Sequence, residues 1–158
     1  MNISSVAVNS FDNSSLLMSN FLGTPLLIAN VASECRYTVQ YESMRLLDLL
    51  YGPRGLKILA FPCNDFDAQE SNSVDEIKAF LLSTFRLNIH LFSKTSCVGP
   101  SMHPLFKVLT TDSSPVAWNF EKFLIDRNGF LVKRFHSDTC MSSIDIQQTI
   151  ESLLDPIV

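Results

Sequence analysis

Pro25-Leu26-Leu27-Ile28-Ala29-Asn30-Val31 and Leu56-Lys57-Ile58-Leu59-Ala60-Phe61 are two apolar runs of strand length, and together with the stretch between them they constrain this chain more than any other feature. A nearly continuous apolar strand has no polar face to give to water, so both runs must be covered on two sides. Between them, Tyr41 to Tyr51 carries Met44, Leu47 and Leu50 at three-residue intervals with Leu46 beside them, which predicts an amphipathic helix facing a core. Gly52-Pro53-Arg54-Gly55 stops that helix. Strand, helix and strand joined by a connection of this length make a right-handed parallel unit.

Farther along, Val74, Ile77, Phe80 and Leu81 mark a second helix opening near Ser73, with Asp75 and Glu76 in the first turn, where negative charge suits the backbone dipole. Ile89 to Phe92 is a short strand candidate, and His103-Pro104 opens a brief helix through Leu109. Phe120 to Ile125 and Phe130 to Phe135 flank Asp126-Arg127-Asn128-Gly129, a hairpin signal. A last helix from about Ser143 to Leu154 is expected to bury Ile146, Ile150, Leu153 and Leu154. The fold class that follows is α/β, a mixed central sheet with helices on both faces. With 158 residues, 46% of them hydrophobic, the expectation is one domain over residues 1–158.

The same pattern brings distant segments together. Parallel strands ending at Val31 and Phe61 put Cys35 and Pro62-Cys63-Asn64 beyond one carboxyl edge, the usual place for a site in an open α/β sheet. If the first strand of the hairpin runs antiparallel to them, Trp118-Asn119 falls there too. Cys35 sits where an apolar strand gives way to a helical pattern, and a thiol at a helix N-terminus has its nucleophilic thiolate favoured by the dipole, with Arg36 adding to the effect.

Several function classes are disfavoured. The four cysteines lie about thirty to forty residues apart with no C-x-x-C pair, and the three histidines are scattered, so no metal site is expected. A net charge of −4 without a basic cluster argues against nucleic acid. No apolar segment approaches the ~20 residues of a membrane span and no signal peptide is seen, so a cytoplasmic protein is expected.

Three blocks resemble the signatures of the glutathione peroxidase family: Asn30 to Cys35, Leu59 to Phe66 followed by Gln69-Glu70, and Trp118-Asn119-Phe120 with Lys122-Phe123-Leu124. They occur in the family's order at closely similar spacing. The resemblance implies a thioredoxin-like fold and thiol-dependent reduction of hydrogen peroxide and organic or lipid hydroperoxides. It carries the family's active-site set onto Cys35, Gln69, Trp118 and Asn119, with Cys35 attacking the peroxide and becoming a sulfenic acid while the amide and indole groups donate hydrogen bonds. It implies no bound cofactor, with glutathione or a thioredoxin-type protein as the reducing co-substrate.

Departures from the family pattern are local. Arg36 stands where the family usually has glycine, and Asp67-Ala68-Gln69-Glu70-Ser71 where it usually has Gly-Gly-Gln-Glu-Pro. The segment between Leu109 and Trp118 is short where tetrameric members of the family carry a longer assembly loop, so the resemblance implies a monomer. The usual resolving cysteine of thioredoxin-using members aligns with Leu82, but some endoplasmic-reticulum members that resemble this chain use the cysteine of the Phe-Pro-Cys-Asn motif, so the resemblance implies Cys63 as the intramolecular candidate. The basic residues that hold glutathione in some family members find no secure match here, and Lys133-Arg134 reads equally well as a solvated strand end. The alternative function is a redox sensor or relay passing oxidation from Cys35 to a partner protein.

Overall fold

The computed structural model describes residues 1–157. A small N-terminal hairpin, β1 (Ala7–Asn9) and β2 (Ser15–Leu17), precedes β3 (Leu26–Val31), α1 (Gln40–Tyr51), β4 (Lys57–Pro62), α2 (Val74–Phe80), β5 (His90–Leu91), α3 (Pro104–Leu109), β6 (Lys122–Ile125), β7 (Leu131–Phe135) and α4 (Ile144–Leu153). The five later strands form one mixed sheet in the order β5-β4-β3-β6-β7. Strands β3 and β4 pair in parallel, with Leu26 opposite Lys57 and Val31 opposite Pro62, and β6 runs antiparallel to β3. All six residues of β3 are buried, as a strand without a polar face requires.

Alternation along the strands divides the core in two. Leu27, Ala29, Val31, Ile58 and Ala60 pack under α1, α2 and α4 through Tyr41, Met44, Leu47, Ile77, Ile146 and Ile150. Leu26, Ile28, Leu59 and Phe61 face the other way, against Leu105, Phe106 and Leu109 of α3 and Val8 of the hairpin. Helices therefore cover both faces, as the pattern predicts.

The helix boundaries have local causes. Ser73 Oγ accepts from the Glu76 amide while the Glu76 carboxylate accepts from the Ser73 amide, a reciprocal cap that starts α2. That helix continues as a π turn, Leu81–Phe85, which the sequence pattern did not announce. In α1 the buried face is Gln40, Tyr41, Met44, Leu47 and Tyr51, whereas Leu46 and Leu50 are 46% and 58% exposed. Their expected burial is corrected by the helical period, which at 3.6 residues per turn carries Leu50 about 120° away from Met44. The hairpin β1-β2, too short for alternation to reveal it, helps to close the second core.

Candidate active site

Past the end of β3 the chain turns through Ala32, Ser33 and Glu34 to Cys35, the N-cap of a 3-10 turn (Arg36–Val39) that runs directly into α1. The cap is reciprocal. Cys35 N–H donates to Thr38 Oγ1 (3.0 Å), whose hydroxyl donates to Ala32 O (2.8 Å), and Tyr37 N–H donates to Cys35 Sγ (3.3 Å). The sulfur thus faces an otherwise unpaired amide of a first helical turn, the group that makes such termini attractive to anions. Arg36 does not add a contact to the sulfur. Its guanidinium donates to the Tyr37 hydroxyl (2.8 Å) and lies 4.8 Å from the centre of that ring.

The second segment follows β4. Asp67 and Ala68 have φ of 51° and 50°, a left-handed pair directly before Gln69. Glycine enters this region freely and other residues do so at a cost of ~1 kcal/mol each, which accounts for the family's glycines and makes their replacement here a source of strain. Four bonds hold the turn: Gln69 N–H to Phe66 O (3.2 Å), Glu34 N–H to Gln69 O (3.0 Å), Glu70 N–H to Asn64 Oδ1 (2.9 Å), and the Ser33 hydroxyl to the Glu70 carboxylate (2.8 Å).

The third segment precedes β6. Asn30, fully buried within β3, donates from Nδ2 to Trp118 O (2.9 Å) and accepts at Oδ1 from Glu121 N–H (3.1 Å). Its backbone carbonyl accepts from Phe120 N–H (2.7 Å), which fixes Phe120 at a φ of 62°. Glu121 accepts from Ala117 N–H (2.6 Å) and pairs with Arg134, which also donates to Ser113 Oγ, Ser114 O and Pro115 O. The Arg134 side chain is 15% exposed, so the solvated-strand-end alternative fails for it: the short loop before Trp118 turns its carbonyls onto this guanidinium.

Cys35, Gln69 and Trp118 line one open cleft of about 680 Å³ together with Arg36, Tyr37, Ala117, Glu121, His136, Ser137 and Asp138. Cys35 is only 9% exposed, yet it reaches this wall. Among the described residues, Gln69 Nε2 and Trp118 Nε1 have no hydrogen-bond partner, leaving two donors for whatever enters. Asn119 is placed differently from the expectation of direct contact. It is fully buried behind Gln69, donating from Nδ2 to Gln69 Oε1 (3.1 Å), a bond that turns the Gln69 amide so that its donor end is the free one.

The far wall hangs on Lys122, also fully buried, whose ammonium donates to the carbonyls of His136, Ser137 and Thr139. Burial brings its pKa down to about 8. Cys63 is not brought to Cys35. It lies in the core on the opposite face of the sheet, its thiol against that of Cys97, and burial pushes the Cys97 thiol far up. Among the described residues no group of three or more His, Cys, Asp or Glu is placed to hold a metal ion, and no helix is long and apolar enough to cross a membrane.

Sequence reasoning missed Asn30, Thr38, Glu121 and Lys122 as holders of the site. Asn30 and Lys122 carried a signal, since polar groups inside strands read as buried must find partners. Thr38 carried a weaker one, three residues after the capping position.

Comparison with known proteins places this geometry. The sequence model described as Glutathione peroxidase matches residues 3–110, which include Cys35 and Gln69. Hydroperoxy fatty acid reductase gpx1 of Synechocystis sp. is 40% identical, over 94% of this chain and 93% of that one. The crystal structure of T. cruzi GPX1 superposes with a TM-score of 0.77 at 30% identity, covering 97% of this chain and 96% of the other. A thioredoxin family protein from Chlorobium tepidum TLS, at 12% identity and a TM-score of 0.71, shares the fold alone, which is thioredoxin-like. Since the family model spans more than half of the residues and the Synechocystis relative aligns nearly end to end, this chain belongs to the glutathione peroxidase family.

Proposed function

We propose that Cys35 is the nucleophile with which this thiol peroxidase reduces hydroperoxides, that Gln69 Nε2 and Trp118 Nε1 supply hydrogen bonds to the reacting atoms, and that Asn119 positions Gln69. The ionised sulfur attacks the terminal oxygen of ROOH, the O–O bond breaks, and RO⁻ leaves and takes up the proton given up by the thiol. Cys35 is left as a sulfenic acid and ROH or water departs. Donors aimed at an oxygen that gains charge as the bond breaks stabilise the transition state more than the bound peroxide. The single observation that carries this assignment is the common cleft, where the sulfur and two unpaired donors from remote segments share one wall.

The substrate class proposed is hydrogen peroxide together with organic and lipid hydroperoxides. Trp118, Ala117 and Tyr37 give the cleft apolar surface beside the sulfur, and the Synechocystis relative is named for reduction of hydroperoxy fatty acids. Resetting the sulfenic acid takes an external thiol, glutathione or a thioredoxin-type protein, because the placement of Cys63 across the sheet does not favour an internal partner. No bound cofactor enters the cycle, and the unit proposed is a monomer of one domain. The test is peroxide consumption with each reductant, wild type against Cys35→Ser, combined with trapping of the sulfenic acid and peptide mapping. Turnover that survives Cys35→Ser would sink the assignment.

A further inference from the structure

Glu70 is a buried carboxyl that the proposed mechanism leaves unused. It is fully inaccessible, and the Ser33 hydroxyl spans its two oxygens at 2.8 and 3.0 Å. Ser33 belongs to the loop that delivers Cys35, and Glu70 directly follows Gln69. One bridge therefore joins the segment carrying the sulfur to the segment carrying the amide.

We infer that Glu70 is a positioning residue for peroxide reduction, its bridge to Ser33 holding Gln69 at the cleft against the strain of the turn that precedes it. The inference rests on the proposed roles of Cys35 and Gln69. Two consecutive non-glycine residues in left-handed conformation persist only where their surroundings over-determine them. Upstream, Phe66 O and Asn64 Oδ1 hold the turn to its own segment. Among the described residues, Glu34 N–H and Ser33, through its hydroxyl and backbone amide, tie it to the nucleophile loop, and of these the Ser33 hydroxyl contact alone joins two side chains. Without it, one of the four bonds that hold the turn is lost, and Asp67 and Ala68 relax further toward ordinary backbone angles, carrying Gln69, the next residue, with them.

The surroundings of Glu70 make the bridge sensitive to protonation. Burial raises its carboxyl to about 7, opposed by the Ser33 hydroxyl and backbone amide and the charge of Lys94, and reinforced by Glu34. From α1, Tyr41 presents a buried hydroxyl without a partner, itself pushed up by burial and by the Glu70 charge. The ionised carboxylate accepts the Ser33 hydroxyl as a charge-assisted bond, stronger than that of the neutral acid.

The test compares two reactions of one sulfur. Oxidation of Cys35 by hydrogen peroxide uses both the thiolate and the Gln69 donor, whereas alkylation by iodoacetamide uses the thiolate alone. Glu70→Ala is expected to slow oxidation about tenfold or more while alkylation stays within about twofold, and Glu70→Gln, which keeps the shape and an acceptor, to restore most of the loss. In the wild type, the ratio of the two rate constants rises with pH through about 7. In Glu70→Gln it is flat. Ser33→Ala, which removes the bridge without opening a large cavity, is expected to slow oxidation in the same direction and keeps the test decisive should Glu70→Ala misfold.

Oxidation at the wild-type rate in both Glu70→Ala and Ser33→Ala, or a parallel loss in both reactions, would overturn the positioning role. A wild type whose Cys35 does not react with peroxide at all would overturn the peroxidase assignment and this inference together. An active wild type with indifferent variants overturns the inference alone.

Discussion

Asn119 Nδ2 donates to Gln69 Oε1 across 3.1 Å, joining residues fifty positions apart. In the proposed mechanism this contact has Asn119 act through Gln69 rather than on the substrate. Gln69→Ala is expected to lower the rate of Cys35 oxidation roughly tenfold to hundredfold and Asn119→Ala by less, with the double variant no slower than Gln69→Ala alone. Stopped-flow oxidation of the four proteins checks this. Strict additivity of the two losses would place Asn119 in independent contact with the reaction.

Stability should depend on pH through Glu70. Its carboxyl is raised from the usual 4.5 to about 7. Below 4.5 the folded and unfolded chains both hold the proton. Between 4.5 and about 7 the unfolded chain releases it first, so stability falls as pH rises, and the loss is complete above that window. Glu70→Gln should melt with the wild type at about pH 4 and above it at about pH 8. Calorimetry at the two values decides, and a gap equal at both would contradict the buried-carboxyl origin.

The left-handed turn offers a stabilising substitution. At Ala68, with φ of 50°, glycine removes a steric cost and adds entropy to the unfolded chain. The balance predicts that Ala68→Gly gains up to about 1 kcal/mol, or ~2–4 °C in Tm. Thermal melts of Ala68→Gly and of an Ala→Gly change inside a helix, such as Ala79→Gly, should move in opposite directions.

Arg134 should matter more than its place near a strand end suggests. Arg134→Ala leaves the buried Glu121 carboxylate without its cation and frees three acceptors of the Ser113–Pro115 segment. A loss of about 3–5 kcal/mol is expected, with faster proteolysis between residues 111 and 117. Arg134→Lys should recover only part of it, because one ammonium cannot span the contacts of a planar fork. Denaturant midpoints and limited digestion provide the measurement.

Thiol labelling should separate the cysteines. Cys140 is exposed, and the hydroxyls of Ser142 and Ser43, with help from Lys122, hold its pKa below the ordinary thiol value. Cys63 and Cys97 are fully buried. Brief iodoacetamide treatment of the folded protein is expected to modify Cys140 and Cys35 and to spare the other two until denaturant is added, as peptide mass spectrometry can show. Early labelling of Cys63 would contradict the packing of the second core.

Much of this architecture was legible in the residues because it follows from period and punctuation. The run Leu26–Val31 could only be a strand covered on both faces, Ser73 and Ser143 marked helix starts by their side chains, and Asn128-Gly129 marked the hairpin. Leu50 misled because three-residue spacing imitates a helical face for one turn and then leaves it. At the site, Cys35 and Trp118 were readable as members of one edge, and Gln69 only through the family resemblance. What decides their roles was not readable, because the bonds from Asn119 to Gln69, Asn30 to Trp118 and Ser33 to Glu70 join positions 37 to 88 residues apart. Local pattern carries no record of such pairings.

The sheet works as a partition for sulfur chemistry. Cys35 belongs to one side and the buried Cys63–Cys97 pair to the other. On the proposed role of Cys35, an oxidising equivalent captured at the cleft leaves by the door through which the peroxide came, so substrate and reductant would take turns at one entrance, and a crowded mouth would slow both halves of the cycle alike.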